Sequence, residues 1–172
     1  MIKMAGASLI IAATSLWGML AADRVRNQSA QMQYLKKIIY RLRSETLYAR
    51  AFLSEAFRNI AETSEEPYSG WLLFMSQELE QRQGVRFSQV WETGTLQKLK
   101  TADLPEPVCQ RLLGLGGQLG NADVEMQVRI LDLFLEELEH TMEEMREEQK
   151  SKIKLYHCMG VMSGIFLTIL LI

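Results

Sequence analysis

Few residues in the chain have types and spacing that suit catalysis or metal binding. Glu137 and His140 stand three residues apart, which matches half of the Glu-x-x-His pattern of di-iron helical bundles. Such a site needs a second pair and two more carboxylates, and the only other histidine is His157. Cys109 and Cys158 are far apart, and we interpret them as small buried side chains. We therefore expect no catalytic residue, no metal and no cofactor, and we interpret the protein as not an enzyme.

Gly114, Gly116, Gly117 and Gly120 form a glycine-rich stretch that differs from a phosphate-binding loop. The spacing is GxGGxxG, whereas the dinucleotide fingerprint is GxGxxG after a strand. Close packing of helices explains these glycines better, with Gly120 ending a helix at positive φ. On that interpretation Gly120→Val destabilises the protein, because a β-branched residue resists positive φ.

The overall composition excludes two further classes of protein. The 172 residues carry 19 Lys and Arg against 21 Asp and Glu, a net charge of -2, which does not suit a strongly basic nucleic-acid binder. Two cysteines are too few for a secreted disulfide scaffold. The length permits one domain of modest size.

Long uncharged segments occupy both ends of the chain, Met4–Ala22 and Leu155–Ile172. As helices they would extend roughly 28 Å and 27 Å, just enough for a hydrocarbon core of about 30 Å. We interpret them as transmembrane helices, which gives an N-terminal span over 1–23, a helical bundle over 24–154 and a C-terminal span over 155–172. The alternatives are a cleaved signal peptide at the first segment and a buried helix of a soluble core at the second.

Charges beside the two segments set the expected orientation in the lipid bilayer. Arg24 and Arg26 follow the first segment, and Lys152 and Lys154 precede the second. The positive-inside rule places the middle of the chain in the cytoplasm and both termini on the other side of the cell membrane.

The second segment also contains a small-residue pattern. Gly160 and Gly164 are four residues apart, a spacing that favours close packing of membrane helices within a chain or between subunits of a homo-oligomer. Chance is the alternative, because glycine is common in membrane helices.

Helical periodicity runs through the middle of the chain, and no strand-like alternation of useful length interrupts it. The sequence predicts an all-α fold, a compact bundle of about six helices flanked by the two transmembrane helices. Thr63-Ser64 is expected to end one short helix, and Ser88 is the expected N-cap of a later one. The segment 101–107, with two prolines, is the clearest loop. Asn121 is the expected cap of the last helix, with Asp123 in its first turn, where the helix dipole favours a carboxylate.

The last helix has the strongest periodic signal. Its apolar residues are spaced four and three residues apart, as in a heptad seam: Val124, Val128, Leu131, Leu135, Leu138, Met142 and Met145. The pattern predicts one helix from Asn121 through Lys154 into the second span. Glutamates that include Glu136, Glu139 and Glu143 cover its other faces. They form either a solvated face or an acidic docking surface for a basic partner.

The whole chain resembles the stage III sporulation protein AB family of endospore-forming bacteria. The opening MIKMAGASLIIAATSLWG is similar to the N-terminal span of the family, and RLRSETLYARAFLSEAFRNIAE is similar to its first helices. The most specific match is LGLGGQLGNAD together with Gln127. Departures are Phe52-Leu53 in place of a frequent Pro-Leu and the extra Gly117. We expect a helix–helix junction at this signature, formed by Leu115, Gly116, Leu119, Gly120, Asp123 and Gln127.

The resemblance implies a fold and a function. The soluble part of the family is similar to the cytoplasmic domain of the type II secretion platform protein GspF. The implied role is that of a non-catalytic platform in the mother-cell membrane, within the channel complex that links mother cell and forespore. The implied partners are the other stage III channel proteins, including an ATPase, stage III sporulation protein AA. The alternative is a scaffold or receptor-like membrane protein unrelated to secretion that docks a basic partner on its acidic last helix.

The expected topology is testable with reporter fusions. A reporter fused after Ile172 should behave as extracytoplasmic, and a tag inserted near Ala102 should behave as cytoplasmic, because of the flanking charges. The reverse pattern would contradict the orientation.

Overall fold

A computed structural model describes residues 2–49, 53–81, 86–120 and 122–171, with side chains described over 23–48, 53–81, 86–120 and 122–148. Within these residues the chain forms six α-helices and no strand, which confirms the predicted all-α class and helix number. The chain divides into two compact units, Met1–Leu135 and Glu136–Ile172.

Helix α1 (Ile2–Ser44) is the long first helix, and it passes into a π-helical turn, Glu45–Ala49. At this change of winding the Thr46 hydroxyl donates to the carbonyl of Leu42 at 2.8 Å, one turn back. Side chains with helical spacing form its buried face: Met32, Leu35, Ile38, Ile39 and Leu42. The core therefore begins one turn or more beyond the basic residues that follow the first predicted span.

Helices α2 (Leu53–Ala61) and α3 (Tyr68–Gln81) pack against each other as a hairpin. Helix α2 ends where the sequence predicts, because the hydroxyls of Thr63 and Ser64 both donate to the carbonyl of Ile60, at 3.3 Å and 2.7 Å. Such side chains satisfy helix carbonyls that lack an intrahelical partner.

Helix α4 (Phe87–Lys98) corrects the expected start of its helix. Ser88 lies inside the first turn and is not the N-cap, which is Arg86, without a side-chain capping bond. The helix begins two residues earlier than expected, at Phe87, whose ring stacks with Phe57 with centroids 6.3 Å apart. Aromatic packing outweighs the capping preference of serine here.

The predicted loop over 101–107 is shorter than expected. A 3-10 turn, Leu99–Ala102, extends α4, and helix α5 (Glu106–Leu119) begins before the second proline of the stretch. Pro107 lies in the first turn of α5, where the missing N–H costs no hydrogen bond.

Helix α6 (Val124–Leu171) is continuous, as the heptad seam predicts. The middle of the seam is buried, with Leu131 fully covered and Leu138 2% exposed, whereas Val124 at its start is 45% exposed. In the first unit the guanidinium of Arg43 forms a two-pronged salt bridge with the Asp132 carboxylate, which ties the end of α1 to the first turns of α6.

The described residues leave the predicted membrane spans untested. Among the residues searched, those that the structure describes, no helix is long and apolar enough to cross a membrane. The apolar side chains over 4–22 and 155–172 lie outside the described side chains, as do Gly160 and Gly164. The backbone is helical over 4–22 and 155–171. The two spans and the division into 1–23, 24–154 and 155–172 remain predictions.

Candidate functional site at the helix junction

The junction that the sequence predicts is centred on Gly116, which lies under a tryptophan ring. A Cβ at Gly116 would come within 2.3 Å of both Cδ1 and Cγ of Trp91, so only glycine fits against the ring. The Trp91 indole N–H donates to the Leu112 carbonyl at 2.6 Å. The indole therefore rests on the exposed backbone of α5 and makes its one polar contact there.

Trp91 is also the centre of an aromatic cluster formed by α2, α3 and α4. Its ring meets Trp71 edge-on with centroids 5.0 Å apart and lies 6.1 Å from Phe57 and 5.7 Å from Phe87. Both tryptophans are fully buried. Each such aromatic pair contributes about 0.5–1.5 kcal/mol beyond the burial of its area. The ring on Gly116 thus connects α5 to the rest of the first unit.

Gly120 has a different reason for being glycine than the sequence suggests. Its φ is -67°, so the expected positive-φ helix end is wrong. A Cβ there would instead come within 2.8 Å of the Phe87 Cβ. Gly120→Val should still destabilise the protein, but through the clash with α4.

The other two glycines of the stretch do not share this role. A Cβ at Gly114 or at Gly117 would meet nothing within 4 Å. Close helix packing therefore accounts for two of the four glycines. Gly116 and Gly120 are four residues apart on one face of α5, where they are covered by Trp91 and Phe87. These aromatic side chains leave no room for a phosphate-binding loop at either glycine.

The remaining residues of the junction join α5 to α6. Leu115 and Leu119 are buried on α5, and the Gln127 side-chain amide donates to the Leu119 carbonyl at 3.1 Å. Asp123 precedes α6 and accepts a hydrogen bond from the Met126 backbone N–H at 2.8 Å, the geometry of an N-cap. The sequence prediction of Asn121 as the cap, with Asp123 in the first turn, is therefore wrong, because α6 begins at Val124 and Asp123 is the residue that caps it.

The acidic residues singled out on the last helix are exposed. Glu136, Glu139 and Glu143 all face solvent on the second unit, near His140, whose Nδ1 lies 3.5 Å from a Glu144 carboxylate oxygen. In the described part of the chain no group of three His, Cys, Asp or Glu side chains is placed to hold a metal ion. His140 pairs with a neighbouring turn of its own helix, which suits a solvated helix face.

Cys109 lies partly buried on α5. Burial raises the pKa of the Cys109 thiol, and the Glu106 carboxylate raises it further. A thiol nucleophile needs a lowered pKa. The surroundings of Cys109 therefore favour the neutral thiol, while Cys158 lies outside the described side chains.

Sequence reasoning missed long-range salt bridges and an exposed tyrosine. Among the described residues, three salt bridges join distant segments: Arg43 with Asp132, Arg24 with Asp103 and Arg58 with Glu80. Tyr48, in the π-helical turn, is 80% exposed. No local pattern in the sequence relates the two members of these pairs.

The fold and the junction define an all-helical bundle protein whose described features are packing contacts and exposed charged faces. The model of the stage III sporulation protein AB family matches residues 3–172, and the chain belongs to this family. It is 25% identical to stage III sporulation protein AB of Bacillus subtilis (strain 168) over 171 residues, 99% of either chain. A solved structure of a stage III sporulation protein AB has the same fold, with a TM-score of 0.63 at 22% identity over 73% of this chain and 98% of that one.

Two neighbouring glycines provide a matched test of the junction. Gly116→Ala should lower the free energy of unfolding by about 1–3 kcal/mol, because the added methyl displaces the Trp91 ring. Gly117→Ala should raise it by about 0.5–1 kcal/mol, because an exposed helical glycine gains helix propensity when it becomes alanine. Urea unfolding of the full chain in detergent micelles measures both. Equal effects of the two substitutions would contradict the packing described for Gly116.

Proposed function

We propose that the protein is a non-catalytic platform component in the membrane of the mother cell, part of the sporulation channel complex that links mother cell and forespore. The observation that carries the proposal is the family match over residues 3–172, which includes both terminal apolar segments. In this arrangement the two segments span the bilayer, and the helical bundle stands in the cytoplasm with both chain ends on the other side. The role requires contacts with other proteins and no bond chemistry.

The physical features of the bundle fit a part that positions its neighbours. The Trp91 ring on Gly116 and the Arg43–Asp132 salt bridge fix the first unit from α1 to the start of α6. The second unit presents exposed carboxylates along a continuous helix. Packing contacts in the first unit and exposed charges on the second are features expected of a part that acts by binding other proteins.

We propose the acidic face of α6 as the docking surface for the ATPase of the complex, stage III sporulation protein AA. This face is defined by Glu136, Glu139 and Glu143, which are spaced three and four residues apart and so lie along one side of the helix. Charged rims of this kind steer a partner of opposite charge and set its orientation.

Charge reversal on this face tests the proposal. The triple substitution of Glu136, Glu139 and Glu143 by lysine should reduce capture of the ATPase from sporulating membranes at least tenfold, because attraction becomes repulsion. A matched control replaces Glu55, Glu62 and Glu92, three exposed glutamates of the first unit, by lysine. The control should capture the ATPase as the wild type does.

The other outcomes separate the candidate functions. Equal loss in both triple variants would show a general charge effect and contradict the assigned face. Undiminished capture in the first variant would contradict it as well. Capture of a different basic protein by the wild type, with no ATPase, would instead support a scaffold unrelated to secretion.

A further inference from the structure

The connection between α4 and α5 lies next to the part of α1 that leaves the first predicted span. A guanidinium nitrogen of Arg24, Nη2, is 3.6 Å from the Oδ1 atom of Asp103 in that connection. Arg24 is two residues beyond Ala22, the last residue of the uncharged segment, which is about 3 Å along a helix axis. The α4–α5 connection, more than 75 residues away in sequence, therefore lies close to the point at which α1 enters the bilayer in the proposed arrangement.

The backbone of the α4–α5 connection adopts a left-handed conformation at Asp103. Asp103 has φ 48° and ψ 40°, and it is the non-glycine residue with positive φ among the described residues. Buried anchors lie on both sides of it, Ala102 at 1% and Leu104 at 9% exposure. Aspartate tolerates this left-handed conformation better than most residues do. The Asp103 carboxylate lies beside Arg24, while Lys100 and Thr101 of the same connection are exposed.

The charged side chains at this end of the bundle differ in their partners. Asp103 lies beside Arg24, Asp23 lies 3.7 Å from Arg26, and the Glu106 carboxylate accepts a hydrogen bond from the Gln110 amide. Lys98 and Lys100 are exposed, and among the described residues no carboxylate forms a salt bridge with either one. Lys98 stands over the Phe74 ring, 5.7 Å from its centroid. The four basic side chains, Arg24, Arg26, Lys98 and Lys100, outnumber these three acids, so the surface carries a net positive charge.

We propose that this surface, formed by Arg24, Arg26, Lys98 and Lys100, binds the anionic phospholipid headgroups of the membrane that α1 enters. Continuity with the span selects lipid over a soluble partner, because headgroups lie within a few ångströms of Arg24 in the proposed membrane arrangement. Basic residues next to a span attract anionic lipids over about one Debye length, roughly 8 Å at physiological salt. The lysines of the α4–α5 connection extend this attraction from α1 to the bundle.

The inference rests on the proposed membrane arrangement, and it adds one contact to it. The α4–α5 connection becomes a second point of attachment to the bilayer surface. Because α5 carries Gly116, such an attachment fixes the height of the junction above the membrane.

Depth-dependent quenching in nanodiscs tests the contact. The full chain, with Cys109→Ser and Cys158→Ser, receives one cysteine for a fluorophore, either Thr101→Cys in the connection or Glu62→Cys as the control. Glu62 is exposed, and its neighbour Thr63 bonds to Arg41, about 26 Å farther along α1 from Arg24. Quenching by headgroup spin-labelled lipid should be several-fold stronger at position 101 than at position 62.

Two further comparisons change the lipid composition of the nanodiscs and the charge of the α4–α5 connection. Adding phosphatidylglycerol to phosphatidylcholine nanodiscs should increase quenching at position 101 severalfold, and the double variant K98Q/K100Q should lose this increase. Equal quenching at the two positions, or no dependence on phosphatidylglycerol, would overturn the lipid contact while leaving the spans in place. A chain that does not incorporate into nanodiscs would overturn the membrane arrangement itself and, with it, this contact.

Discussion

One indole ring lying on a bare helix backbone determines how the helices of the first unit can be arranged. Trp91 of α4 sits where Gly116 leaves α5 without a side chain, and its N–H is satisfied by the Leu112 carbonyl. The same ring meets Trp71 of α3 and Phe57 of α2. A larger residue at position 116 would push α5 away from α4, whose Trp91 ring contacts the other two helices. The ends of α5, and with them the start of α6 and the α4–α5 connection, take their positions from this contact.

The sequence predicts those features that depend on local patterns, and it fails where a distant contact decides. The all-α class, the end of α2 at Thr63 and Ser64 and the long continuous α6 all follow from periodicity and capping chemistry. The expected cap at Ser88 is wrong because Phe87 is drawn into the aromatic cluster. Position 120 requires glycine because a Cβ there would clash with Phe87, and not because of the positive φ that the sequence suggests.

The candidate site also combines features that the sequence predicts with features that it does not. A glycine-rich stretch indicates close packing, but nothing local distinguishes Gly116, which lies under a tryptophan, from Gly117, which faces open space. That distinction requires the partner helix, which is more than 20 residues away. The salt bridge between Arg24 and Asp103 is out of reach for the same reason. The proposed functions depend on these long-range contacts, since a platform acts through the relative placement of its surfaces.

The central claim is that Gly116 is glycine because of Trp91, and a double-mutant cycle on these two residues tests it most directly. The free energy of unfolding of the full chain in micelles is measured for Gly116→Ala in the wild-type background and in a Trp91→Leu background. The account predicts a loss with Trp91 present and a much smaller loss, or a gain, with leucine in its place, so that the two residues are coupled by about 0.5–3 kcal/mol. An equal loss in both backgrounds would contradict the account.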